Sequence, residues 1–206
     1  MVASRTGNAE RTVVFPCADV LPPLDSKAGK ACMQVCRAPI MEPMAKKPHV
    51  SETPATQLLR KNAIAFEEYT YEWEPHGGAR HSAAVLGLDP FSVVKTLVMQ
   101  DQDRQPLVVL MHGNRSVSTK QLARQTGRKH IEPCAVEVAQ RHSGYLVGGT
   151  SPFGTRRAMP VYLERSILDL PRIAVNGGRR GYQLGIDPQV CVTLLQAQPV
   201  DCALAE

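Results

Sequence analysis

The chain has 206 residues, with 43% hydrophobic and 21% charged side chains and a formal net charge of +5. That balance fits one globular domain with a full core, and no apolar run is long enough to cross a bilayer as a helix. The basic surplus suits an anionic partner such as nucleic acid. Residues 51–206 carry 17 Lys+Arg against 15 Asp+Glu, however, so any footprint for RNA must be local.

Residues 1–52 contain Pro16, Pro22, Pro23, Pro39, Pro43 and Pro48 and show no period-2 or period-3.6 apolar pattern. They are expected to be a disordered or dispensable extension. Met44-Ala45-Lys46-Lys47 reads as an ordinary protein start, so residues 1–43 are expected to precede the native initiation site or to be dispensable. From Thr53 onward the pattern is regular. Thr53-Pro54 reads as an N-cap followed by Pro at the first helical position, opening a helix with Leu58 and Leu59 that stops near Asn62. Phe66 to Tyr71 reads as a strand, Pro75 to Gly78 as a loop, and Ala79 to Leu86 as a helix stopped by Gly87. Ser92 to Gln100 and Pro106 to His112 are β-rich runs joined by a polar turn, a hairpin in the core of a sheet. Ser118 caps a helix to Gln125, with Gly127 as its stop. Pro133 to Arg141 reads as a further helix, with Cys134, Val138 and Ala135 turned inward. A Gly-rich loop follows Tyr145-Leu146-Val147. Then come a strand around Met159 to Leu163, a hairpin from Arg172 to Ile186 and a short helix from Pro188 to Leu195. The expected fold is a single α/β (mixed α+β) domain over 53–206, a mixed and mostly antiparallel sheet flanked by helices.

Three features can carry chemistry. Lys95 lies in a strand, on one face with Val93 and Leu97. Two readings stand: a cation at the floor of a pocket, meeting a phosphate or carboxylate, or a lysine that snorkels to solvent from an edge strand. Gly148-Gly149-Thr150-Ser151-Pro152-Phe153-Gly154 is a loop whose backbone N–H groups could hold an oxyanion, or an ordinary tight connection. Asn176-Gly177-Gly178-Arg179-Arg180-Gly181 carries the Asn-Gly hairpin signal. With Arg156-Arg157 its arginines could flank one groove and grip a phosphate backbone, or be solvated turn charges. Lys120, Arg124, Arg128 and Lys129 form one more basic group, also open to the solvated reading.

The chain lacks GxSxG, HExxH and GxGxxG motifs. His112, His130 and His142 show no spacing to a triad partner, and His76 and His81 are expected at the surface. Cys17, Cys32, Cys36, Cys134, Cys191 and Cys202 are expected to be free thiols in a reducing cytoplasm. A zinc or redox role for the Cys32–Cys36 spacing is the alternative. The N-terminal stretch lacks the charged start and long apolar core of a secretory signal.

Taken together, several stretches resemble one family, the YbaK-type Cys-tRNA(Pro)/Cys-tRNA(Cys) deacylases related to the editing insertion domain of bacterial prolyl-tRNA synthetases. They are Thr53-Pro54-Ala55 with Leu58-Leu59, Tyr69-Thr70-Tyr71-Glu72, Val94-Lys95-Thr96-Leu97, Ala139-Gln140-Arg141, Gly144 to Gly149, Ser151 to Gly154 and Gly177 to Gly181. The resemblance implies a compact mixed sheet with flanking helices and removal in trans of cysteine wrongly attached to tRNA(Pro). It implies Lys95 as the essential lysine and Gly148 as the backbone group meeting the aminoacyl ester. Tyr71, Thr96, Gly149, Ser151, Pro152, Asn176, Gly177, Arg179, Arg180 and Gln183 would bind substrate. Asn176 stands where relatives carry Ser, and Gln183 where they carry an acidic residue. The substrate's own thiol would attack its ester, which accounts for the missing protein nucleophile. No cofactor and no metal are implied. The expected partners are aminoacyl-tRNA and prolyl-tRNA synthetase, and the expected assembly is a monomer or weak homo-oligomer. Other readings are an Ala-tRNA(Pro) deacylase using water and a non-catalytic tRNA- or synthetase-binding module.

Overall fold

The computed structural model describes residues 52–204. Residues 1–51, with Cys17, Cys32, Cys36 and the expected start at Met44, lie outside them. The elements in order are α1 (Pro54–Lys61), β1 (Glu67–Thr70), α2 (Gly78–Leu86), β2 (Val93–Asp101), β3 (Pro106–His112), β4 (Ser116–Val117), α3 (Thr119–Gln125) and β5 (Ile131–Pro133). They continue as α4 (Val136–Ser143), β6 (Val161–Glu164), a 3-10 turn (Arg165–Asp169), β7 (Ile173–Asn176), β8 (Tyr182–Ile186), α5 (Gln189–Leu195), β9 (Gln198–Val200) and β10 (Ala203–Leu204).

Local chemistry sets the boundaries. Thr53 is extended and caps α1: its hydroxyl accepts the Thr56 N–H while the Thr56 hydroxyl accepts the Thr53 N–H. Gly87 and Gly144, both in the left-handed region, end α2 and α4. The main sheet runs β1-β8-β7-β2-β3-β6-β9, with β5 added beside β2. β2–β7, β3–β6 and β6–β9 are parallel; the other pairings of the described strands are antiparallel. The expected mixed, mostly antiparallel sheet with helices is therefore what forms. β3 is buried at every position because core lies on both of its faces.

Strand parity assigns those faces. Val94, Val108, Leu110, Val175 and Leu184 point into one core with Ala55, Leu59 and Cys191 of α1 and α5. Met99, Leu107, Val109 and Met111 point the other way, into a core closed by Leu122 and Ala123 of α3. On that second face Val93 and Ala174 pack with Ala83 of α2.

The structure corrects one helix. Pro133 ends β5 instead of opening α4, and the helix begins at Val136 behind an exposed Ala135. The preceding residues pair with β2, and the Cys134 N–H continues that edge by donating to the Val98 carbonyl at 3.2 Å. The short strands β4, β5, β9 and β10 were not legible, since two or three residues carry too little alternation to register.

Candidate functional site

β2 is unevenly covered along one edge. β7 pairs with it only at Val93–Ala174 and Val94–Val175, and β5 joins it only from Met99. Between them, Lys95 to Leu97 have no strand partner on that side. A cleft of about 600 Å³ opens at this gap.

Register explains which side chains enter it. Lys95 lies on the same face as Val93, hence as Ala174 and Asn176 two residues on along β7. Asn176 is opposite Gln183, which is opposite Tyr69, so Tyr71 follows on that face as well. Four side chains far apart in sequence thus converge through pairing alone. α2 closes the cleft with Ala79, His81 and Ser82, and the 73–76 segment forms a wall.

Of the residues picked out in the sequence, Lys95, Tyr71, Thr96, Gly148, Asn176, Arg180 and Gln183 line this cleft. The Lys95 ammonium donates to the Arg115 carbonyl at 2.5 Å, which fixes it. Gln183 is buried; its amide nitrogen donates to the Ser82 hydroxyl at 2.8 Å, and that hydroxyl donates to the Ala79 carbonyl at 3.0 Å. Gln183 Oε1 and Thr96 Oγ1 are buried and find no partner among the described residues, so each is poised for a polar group of a ligand. Burial pushes the Tyr71 hydroxyl pKa up, against its bonds with Ser82 and Gln183, which keeps it a proton donor at neutral pH.

The rim is a second construction. Asn176 Nδ2 donates to the Gly148 carbonyl at 3.2 Å, and Arg180 Nε to the Val147 carbonyl at 3.0 Å. The Arg180 guanidinium also stacks over the Trp73 ring, 4.3 Å from its centroid. Gly148 has φ +89, with Trp73 Nε1 3.1 Å from where a Cβ would stand.

The remaining candidates sit behind this rim, not in the cleft. Gly149, Ser151, Pro152 and Gly177 are buried. Ser151 Oγ accepts the Phe153 N–H, and the Gly177 carbonyl accepts the Thr53 hydroxyl at 2.6 Å. Arg179 stacks on the Tyr182 ring at 4.5 Å. Arg156 packs against Gly144, and Arg157 donates to Gln105 Oε1 at 3.4 Å. Of the two arginine pairs, only Arg180 reaches the cleft, because consecutive residues of a tight turn point apart.

Sequence reasoning missed Trp73, Ser82 and both histidines of this wall. His76 is exposed, as expected, and His81 is half-buried; both line the cleft. His81 is held by the Glu72 carbonyl at 3.1 Å and lies 3.6 Å from the Glu74 carboxylate. The available signal was the chain's single Trp, Trp73, followed closely by His76 and His81. The described cysteines stand apart: none lines the cleft. Burial pushes the Cys191 and Cys202 thiols up to about 12, so neither is a thiolate near neutral pH. Ser82 and His81 are neighbours in sequence, but the Ser82 hydroxyl is engaged by Ala79 and Gln183, not by the imidazole. The cleft therefore offers two cations, Lys95 and Arg180, with a phenol, two amides, two imidazoles, hydroxyls and the Glu74 carboxylate, a set for holding a polar, partly anionic ligand, and it contains no cysteine.

Residues 74–194 match a sequence family described as the aminoacyl-tRNA editing domain. The chain is 31% identical over 156 residues to a candidate Cys-tRNA(Pro)/Cys-tRNA(Cys) deacylase, EbsC, of Enterococcus faecalis; the match covers 75% of this chain and 95% of that protein. It is 27% identical over 129 residues to a proline–tRNA ligase of Streptococcus agalactiae, covering 62% of this chain but only 21% of the ligase. The fold superposes on the crystal structure of a candidate trans-editing enzyme for prolyl-tRNA synthetase with a TM-score of 0.62 at 21% identity, covering 75% of this chain and all of the other.

Proposed function

Because the chain belongs to the aminoacyl-tRNA editing domain family, we propose that it is a trans-editing deacylase that removes mischarged cysteine from tRNA(Pro), and also from tRNA(Cys). The observation that carries this reading is the composition of the cleft: Lys95 held by the Arg115 carbonyl, Arg180 at the rim, hydrogen-bonding groups from Tyr71, Thr96, Asn176 and Gln183, and no cysteine in its lining. The substrate's own thiol supplies the nucleophile. Its thiolate attacks the ester carbonyl carbon, and the new carbon–sulfur bond closes a thiolactone. The bond to the ribose oxygen breaks, and that oxygen leaves with the electron pair and takes up a proton, freeing the tRNA. A free thiol has pKa about 8.5, so about a few per cent is thiolate at pH 7 and draws on the rest as it reacts. Holding thiolate and carbonyl together is worth effective molarities of about 10⁵ to 10⁸ M. What the protein then supplies is shape and charge. Lys95 balances the phosphate of the terminal nucleotide, Tyr71 and Thr96 line the pocket, and the Gly148 backbone lies beside the ester. The need for such an enzyme follows from pocket physics, since a site for proline discriminates against a similarly small amino acid by only about 1–3 kcal/mol. The near-balanced charge of residues 51–206 supports a division of labour in which prolyl-tRNA synthetase supplies tRNA specificity.

The test compares deacylation of Cys-tRNA(Pro), Ala-tRNA(Pro) and Ser-tRNA(Pro) by the wild type and Lys95→Ala. The expected result is loss of cysteine alone, slowed by about 10²-fold or more when the Lys95 cation is removed. Loss of alanine or serine at similar rates would make water the nucleophile, and inactivity on all three would reduce the protein to a binding module.

A further inference from the structure

A second concave surface lies away from the cleft. α3 and β5 enclose about 330 Å³ lined by Lys120, Arg124, Arg128, Lys129 and His130, with no carboxylate in the lining. We infer that this surface is a second binding site, taking the sugar-phosphate backbone of the tRNA whose aminoacylated end enters the cleft; the inference rests on the proposed deacylase reading.

The fold builds this site from local pieces. Lys120 and Arg124 are four residues apart, hence on one side of α3. Arg128 is the anchor: it donates to Asp101 Oδ2 at 3.3 Å and to the Tyr162 hydroxyl at 2.7 Å, which pins the chain as it leaves the helix. Gln102 Oε1 accepts the Lys129 and His130 N–H groups, holding the next two residues in place. Lys120, Arg124 and Lys129 are exposed, and among the described residues none of them faces a carboxylate. Elsewhere on the surface Arg60, Arg165 and Arg172 each face one. In a domain of nearly balanced charge, an uncompensated cluster of this kind is a mutual repulsion that a polyanion relieves.

Placement selects the polyanion. α3 covers the face of the sheet carrying Met99, Val109 and Met111. Lys95 is opposite Met111, so the cleft lysine lies on that same face. Ile131, in the lining of the basic surface, is opposite Asp101, six residues along β2 from Lys95, a separation of about 20 Å. A strand of RNA with its terminal nucleotide at Lys95 and its chain running along this face brings successive phosphates past Lys120, Arg124 and Lys129. Such contacts supply affinity and orientation without reading sequence, which leaves specificity to the cleft and to a synthetase.

The test uses the full chain and the triple variant K120A/R124A/K129A, which spares the anchoring Arg128. Binding of uncharged tRNA(Pro) is measured by fluorescence anisotropy across a salt series, and turnover is measured on Cys-tRNA(Pro) and on a short cysteinyl-adenosine ester. The variant is expected to bind tRNA roughly tenfold more weakly or worse, with a log–log salt slope shallower by about 2. K120R/K129R is expected to keep the slope, and the loss of turnover to be confined to full-length tRNA. An unchanged slope in a triple variant with wild-type circular dichroism and melting temperature overturns the inference, as does an equal loss on the short ester. If the wild type cleaves neither ester, the deacylase reading fails while the salt slope still decides this one.

Discussion

At Gly149 a Cβ would stand 2.8 Å from the Arg179 carbonyl carbon and 2.9 Å from the Arg180 nitrogen. Both are backbone atoms, so no side-chain rotation can make room. Gly149→Ala must part the 147–150 loop from the β7–β8 turn, and with it loosen the bond from Arg180 to the Val147 carbonyl. The expected cost is about 1–3 kcal/mol, read as a lower urea midpoint at unchanged slope, accompanied by slower deacylation because the rim is displaced. An unshifted midpoint would mean that the two loops already separate freely. The glycine thus acts by allowing contact behind the rim. Gln183 poses the opposite case: it is buried because its amide nitrogen ties β8 to Ser82 of α2, yet its one side-chain oxygen is left for a ligand. A neutral amide there gives the cleft a different recognition surface from an acidic side chain, since it can both donate and accept without charge.

At the level of elements, α1 does more than cover the core, because its cap reaches the site's supporting turn. The Thr53 hydroxyl accepts from the Thr56 N–H and donates to the Gly177 carbonyl at 2.6 Å. Thr53→Ala removes the cap and strands a buried carbonyl, with an expected cost of about 1–2 kcal/mol. Thr53→Ser should recover most of it in thermal melts, and failure of that rescue would assign the loss to the methyl group's packing. This element was fully legible in the sequence, as were the β2–β3 and β7–β8 hairpins, because capping residues, Asn-Gly turns and long apolar runs are local signals. The cleft was legible only in part. Lys95 announces itself as a lysine inside an apolar strand, but Ser82 and His81 reach the cleft through the packing of α2 on the sheet, which no local spacing encodes. The same limit explains Ser151 and Pro152, whose conspicuous motif serves the core behind the rim. It also explains α4, whose predicted first turn was claimed by an edge pairing with β2.

Across the whole molecule, one buried network joins elements that are far apart in the chain. His112 is fully buried on β3, stacked 3.6 Å from the Phe91 ring. Its Nδ1 lies 2.5 Å from the Phe91 carbonyl and its Nε2 2.9 Å from the Ser166 hydroxyl. Ser166 Oγ lies 3.3 Å from one Glu164 carboxylate oxygen, and the other Glu164 oxygen accepts the Cys202 and Ala203 N–H groups at 2.8 Å each. Burial holds the His112 pKa below its ordinary value; the Phe91 carbonyl, Glu164 and Asp89 pull upward, and Arg115 adds to the lowering. The unfolded chain, whose histidine titrates near pH 6.5, therefore takes up this proton before the folded one does. The stabilisation is intact above about pH 6.5 and is lost as pH falls through the folded pKa. His142 is lowered too, by burial and by Arg157 and Arg141, so the informative quantity is a difference between two melting curves. His112→Gln should melt lower than wild type at pH 7.5 and lose less on acidification to pH 5, so that the two curves converge. Parallel curves would show that the folded core protonates His112 as readily as the unfolded chain does, with the Glu164 carboxylate fully offsetting burial.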